Sequence, residues 1–118
     1  MATMIKFRAW YMPFGKYGAM QEMVYSRASH ILALAETEPE KYIPEQFTGL
    51  KDVNGKEIYE GDIVEVTSQY WRMLGNGYEV KFKQGAFCVK YGLLSEISPS
   101  VSVIGNVHEN PELLEEDK

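Results

Sequence analysis

Apolar and polar side chains alternate along Ile5-Lys6-Phe7-Arg8-Ala9-Trp10. Period two predicts a half-buried strand, with Ile5 and Phe7 inward and the basic Lys6 and Arg8 outward. Pro13, Gly15 and Gly18 mark a turn or loop, after which Met20 to Tyr25 can return as an antiparallel strand. Residues 26–36 are rich in Ala and Leu and predict a helix, with Ser26 or Ser29 as cap and Arg27, Ile31 and Leu34 at three-to-four spacing. Pro39 stops it, because its ring disfavours the helical region for Glu38.

From residue 42 the periodicity is that of strands. Asn54-Gly55 predicts a type I′ hairpin joining a run that ends at Leu50-Lys51 to Glu57-Ile58-Tyr59. Gly61-Asp62 opens Ile63 to Thr67, with Val64 and Val66 on one face. After Gly75-Asn76-Gly77 comes Tyr78 to Phe82, with Tyr78, Val80 and Phe82 sharing a face. Gln84-Gly85 turns the chain into Ala86 to Tyr91, followed by Leu93-Leu94 and Val101 to Ile104. Asn110 and Pro111 then suit the cap and first position of a helical turn that Leu113 and Leu114 could tack down. Many short strands and few helices predict a small antiparallel barrel or a strongly bent sheet.

At 118 residues the chain suits one domain, or a small domain with an appended element, with no need of disulfides or metal. A single cysteine, Cys88, fits a reducing compartment. The longest apolar run, Ile31 to Ala35, is far short of the ~20 residues a bilayer requires. Lys6 and Arg8 stand where a secretory signal would be apolar, so a cytoplasmic protein is expected, without membrane contact. The net charge of −5 conceals blocks: residues 36–65 hold three basic and nine acidic side chains, and residues 66–93 hold four basic and one acidic. Arg72, Lys81, Lys83 and Lys90 could form a basic face, against which stands the reading of a solvated mixed surface.

Catalytic and metal chemistry find little support. His30, His108 and Cys88 are remote from one another in sequence, so neither a zinc site nor a Cys-His nucleophile is indicated, and no cofactor is expected. Asp52 to Glu57 superficially resembles a calcium loop, but Lys56 and Ile63 stand where that loop needs ligands. Cys88, between Phe87 and Val89, reads as a packed small hydrophobe. Gly49, Asn54, Gly55, Gly61 and Asp62 are candidate turn residues, with a binding role for Asp62 the alternative. Tyr70, Trp71 and Arg72 precede a glycine-rich turn, and together with Lys81 and Lys83 they are the candidate partner-binding residues.

The run Gln46-Phe47-Thr48-Gly49-Leu50-Lys51-Asp52-Val53-Asn54-Gly55-Lys56-Glu57-Ile58-Tyr59-Glu60-Gly61-Asp62-Ile63-Val64 resembles the YopX family, small proteins of phages and prophages of mainly Gram-positive bacteria. The opening Ile5 to Trp10 and the closing Val103 to Leu114, with Ile104-Gly105-Asn106 and Asn110-Pro111-Glu112-Leu113-Leu114, are similar to that family's ends. The resemblance implies an α+β, mainly β fold: an N-terminal self-association element over 1–44, then an SH3-like β-barrel over 45–118. It carries over no catalytic or ligand-binding residue. The expected function is that of a non-enzymatic phage accessory protein that forms a homo-oligomer and binds a host or phage protein. The alternative is a nucleic-acid-binding regulator that uses residues 66–93. Met12, Phe14, Tyr17, Met20, Met23, Tyr25, Ile31, Leu32 and Leu34 add the expectation that residues 1–40 mediate self-association, being more apolar surface than a short element can hide.

Overall fold

A computed structural model describes residues 5–66, 77–90 and 92–114, and Cα proximity divides the chain into two units, 1–47 and 48–118. The first unit is built on β1 (Phe7–Tyr11), flanked by β2 (Glu22–Ser26) and by the start of β3 (Tyr42–Lys51), both antiparallel to it. The helix α1 (Ala28–Thr37) joins β2 to β3 and packs against β1 and β2. Ile31 is its fully buried residue, with Ala28, Leu34 and Ala35 half-buried on the same side, so the inward stripe runs from Ala28 and leaves Arg27 in solvent.

Two details of this unit differ from the sequence reading. Arg8, expected outward, is only 4% exposed, and its neighbours Ala9 and Trp10 are buried as well. Consecutive strand residues point to opposite faces, so the central strand of this sheet is covered on both. Neither serine caps α1: the N-cap is Arg27, without a side-chain bond, and Ser26 Oγ instead hydrogen-bonds His30 Nδ1 at 2.9 Å. The helix does stop ahead of Pro39, with Glu38 as C-cap.

In the second unit the end of β3 pairs with β4 (Glu57–Tyr59). A three-stranded sheet then has β5 (Asp62–Val66) between β10 (Val101–Asn106) and β6 (Gly77–Glu79). A second sheet takes β7 (Lys81–Lys83), β8 (Ala86–Val89) and β9 (Gly92–Leu93) in order. A short helix, α2 (Leu94–Ile97), and a 3-10 turn over Ser98–Ser100 precede β10, and another 3-10 turn spans Pro111–Leu113. Ile58, Val64, Val66, Tyr78, Val80, Val89, Leu94, Ile97 and Val101 form the core. The whole is α+β and mainly β, as expected.

The hairpin at Asn54-Gly55 exists, but its turn is not type I′. Gly55 has φ +83° whereas Asn54 does not have positive φ, and Asp52 N donates to Lys56 O while Gly55 N donates to Asp52 O. This is a three-residue loop with a left-handed glycine at its end. Asp52 imposes it: the carboxylate is buried and accepts from the amides of Asn54 (2.8 Å) and Lys56 (2.9 Å) through Oδ1 and of Val103 (2.9 Å) through Oδ2. The two-residue turn with positive φ at both centres lies instead at Gln84 (+50°) and Gly85 (+82°).

Three further expectations are corrected. Tyr78 to Phe82 is not one strand: Val80 belongs to neither β6 nor β7, exchanges backbone bonds with Gly61 and Asp62, and leaves Phe82 49% exposed. Asn110 does not cap the last turn with its side chain, which turns back so that its Oδ1 accepts from Asn106 N. Met12 and Ile31, counted among the surplus apolar residues of the N-terminal element, are buried within it.

Candidate binding cleft

The turn at Gln84-Gly85 sets the register of the β7–β8 hairpin, pairing Lys83 with Ala86, Phe82 with Phe87 and Lys81 with Cys88. Lys81, Lys83 and Cys88 therefore share one face. Phe82 and Phe87 meet on the other, with ring centroids 4.9 Å apart and planes tilted by 58°. On the lysine face lies an open cleft of about 490 Å³. Lys81, Lys83 and Lys90 line it with Glu79, while Tyr78, Val89 and Leu114 supply apolar wall and Cys88 a half-buried thiol.

Among the described residues that line it, three ammonium groups stand against one carboxylate, a local surplus of basic side chains in a chain whose net charge is −5. The Lys81–Glu79 pair is loose, at 4.0 Å, and Lys81 is half-exposed, so it offsets little of that surplus. A concave surface of one sign concentrates its field and favours an anionic group. Lysines recognise such a group as point charges on flexible stems, without the planar fork of arginine.

Of the candidate partner-binding residues, the structure brings Lys81 and Lys83 together and adds Lys90. Tyr70, Trp71 and Arg72 lie outside the described residues. Cys88, read as packed core, is instead a wall of the cleft. Glu79 and Leu114 were not singled out for binding; counting outward from a two-residue turn at Gln84-Gly85 would have placed Lys90 beside Lys81 and Cys88.

The candidate turn residues hold the frame. Gly49, Gly55 and Gly61 all have φ between +83° and +89°. Thr48 Oγ1 donates to Ile58 O and accepts from Leu50 N, bracing the left-handed residue inside β3. Asp62 is 3% exposed, and its Oδ2 accepts from Tyr59 N at 2.8 Å, which locks the β4–β5 turn. Asn106 ties off the end of β10: its Oδ1 accepts from His108 N and Glu109 N, and its Nδ2 donates to Glu109 Oε1. Among the described residues no three His, Cys, Asp or Glu side chains gather where a metal could sit, and no helix is long and apolar enough to cross a membrane.

By fold the molecule is a small α+β protein, mainly β, in two units, with a lysine-lined cleft in the second. The YopX protein family model matches residues 6–115, and the chain belongs to the YopX family. Among solved structures it is similar to protein EF1440 from Enterococcus faecalis, with 25% sequence identity and a TM-score of 0.60 over 97% of this chain and 100% of that one. No curated protein matches it.

Proposed function

We propose that this is a non-enzymatic accessory protein of a phage or prophage, acting in the host cytoplasm. In this reading it self-associates through its first unit and holds a partner protein with its second, an SH3-like barrel. The observation that carries the proposal is the exposed apolar surface of the first unit: Phe14 (69%), Tyr17 (91%), Met20 (76%) and Tyr25 (63%) all face out of one small sheet-and-helix element. Surface of this kind marks protein contacts. The barrel reading is supported by the loop after β3, where Val53 N donates to Val101 O (2.8 Å) and Asp52 accepts from Val103, linking the β3–β4 hairpin to β10. Light scattering at micromolar concentration is expected to return a multiple of 13.5 kDa. A mass of one chain would overturn self-association.

A second reading, nucleic-acid binding, is favoured by the convergence of Lys81, Lys83 and Lys90 on one cleft. Fluorescence anisotropy with duplex and single-stranded probes at low and physiological salt separates the two. A specific complex that weakens steeply with salt would select the nucleic-acid reading. Binding no tighter than roughly 10⁻⁴–10⁻⁶ M, the non-specific range, leaves a protein partner.

A further inference from the structure

We infer that Asn54 is a site of spontaneous deamidation, and that the loop built by Asp52 holds the reaction back while the chain is folded. The inference does not depend on what the protein binds. Asn54 and Gly55 lie exposed in the loop between β3 and β4. Gly55 has no side chain to hinder attack by its own nitrogen, and nothing stands within 4 Å of where a Cβ would be. The chemistry needs no co-reactant but water. Gly55 N attacks Asn54 Cγ, the Cγ–Nδ2 bond breaks, and the amide proton leaves with Nδ2 as ammonia. Water then opens the resulting succinimide at one of its two C–N bonds. Breaking the bond to Cγ gives aspartate. Breaking the bond to the backbone carbonyl gives isoaspartate, with the main chain rerouted through Cγ.

The folded loop engages both reacting groups. Gly55 N, the attacking atom, donates to Asp52 O at 3.0 Å. Asn54 Nδ2, the leaving group, donates to Ser102 Oγ at 3.3 Å, which ties the carboxamide to β10. Asp52 Oδ1 fixes the backbone on either side of the reacting bond through Asn54 N and Lys56 N, and its Oδ2 fastens the loop to Val103 N. Ring closure therefore proceeds from a locally opened loop. Breaking two hydrogen bonds of ordinary strength holds that opening down by about ten-fold or more. The product no longer fits the loop it came from. Isoaspartate adds one main-chain carbon between the two amides that share Asp52 Oδ1, and either product sets a new carboxylate two residues from a buried one. Each opening that reacts thus loosens the tie between the β3–β4 hairpin and β10.

The test follows Asn54 in the full chain at neutral pH, native and unfolded in guanidinium chloride. Peptide mapping by mass spectrometry separates it from Asn76, the other asparagine followed by glycine. Deamidation of Asn54 is expected to be slower in the native chain by about ten-fold or more. Asp52→Ala, its fold checked by circular dichroism, should react several-fold faster than the unmodified native chain. Hydrogen exchange at the Gly55 amide needs no variant: its protection should match the slowing of deamidation, because one opening exposes the same nitrogen to both reactions. Three results would each overturn the inference. They are equal rates in the native and unfolded chains, a folded Asp52→Ala that reacts no faster, and a Gly55 amide that exchanges as freely as in the unfolded chain.

Discussion

Asp52 and Arg8 show how much a single buried charge decides in a protein this small. Burial alone would push the Asp52 carboxyl up, but the amides of Val103, Lys56 and Asn54, aided by the Lys56 charge, outweigh it and hold the group below its ordinary value of 3.8. A lowered folded value means that the unfolded chain binds the proton first. The stabilisation from Asp52 is therefore complete above pH 3.8 and drains away as the pH falls below it, toward the folded value. Asp52→Ala, which orphans those amides, is expected to cost about 3 kcal/mol in urea denaturation. Asp52→Asn should flatten the pH dependence of stability below about pH 4. The Arg8 Nε–Glu45 Oε1 pair, at 2.9 Å with both side chains about 95% buried, makes a different prediction. Glu45→Leu alone removes the carboxylate paired with a buried guanidinium and should cost about 3–5 kcal/mol, whereas Arg8→Met/Glu45→Leu should recover most of it. A double variant as unstable as the single one would show that this charge pair is not what the site requires.

At the scale of elements, two turns have exchanged the roles their sequences suggest. Asn54-Gly55 is the stronger type I′ signal, yet Asp52 captures the amides of residues 54 and 56 and so selects a longer loop in which only Gly55 is left-handed. Gln84-Gly85, a weaker signal, adopts positive φ at both positions because the paired strands on either side leave two residues to close the hairpin. Thermal denaturation should tell them apart. Gly55→Val is expected to cost about 1–3 kcal/mol, since a β-branched residue is strained at that φ. Asn54→Ala, at a position without positive φ, should cost less than about 1 kcal/mol, the scale of its single side-chain bond to Ser102 Oγ. Gln84→Gly should stabilise by about 1 kcal/mol, by relieving a left-handed non-glycine residue. A neutral Gly55→Val would mean that the loop is not held as described.

At the scale of the whole molecule, the two units divide their surface chemistry. Seven of the ten large hydrophobic side chains exposed among the described residues belong to the first unit, and the cation-lined cleft belongs to the second. If the first unit drives assembly, Phe14→Ser/Tyr17→Ser/Met20→Ser should return the light-scattering mass toward 13.5 kDa while circular dichroism is unchanged. These side chains are already exposed, so losing them costs the fold little. An oligomer that survives the triple substitution would move its interface elsewhere.

What the sequence determined by itself is the part carried by short-range chemistry. Period-two alternation located β1 and β5, Ala and Leu content with Pro39 bounded α1, and the glycines marked the chain reversals, because each depends on neighbours within one turn or strand. The lysines of the cleft were legible too, since a two-residue turn pairs odd positions of one strand with even positions of the next and so puts residues 81, 83 and 90 on one side. Tertiary structure decided the rest. The burial of Arg8 follows from its place in a central strand and its partner Glu45, 37 residues away. The break at Val80 follows from hydrogen bonds to Gly61 and Asp62, and the loop type at Asn54 is sealed by Val103, far along the chain. Leu114 reaches the lysine cleft through a bridge to Gly77 that no local pattern encodes. Periodicity records which side of an element faces inward; it does not record what a distant strand will offer a carboxylate, an amide or a charge once the chain has closed.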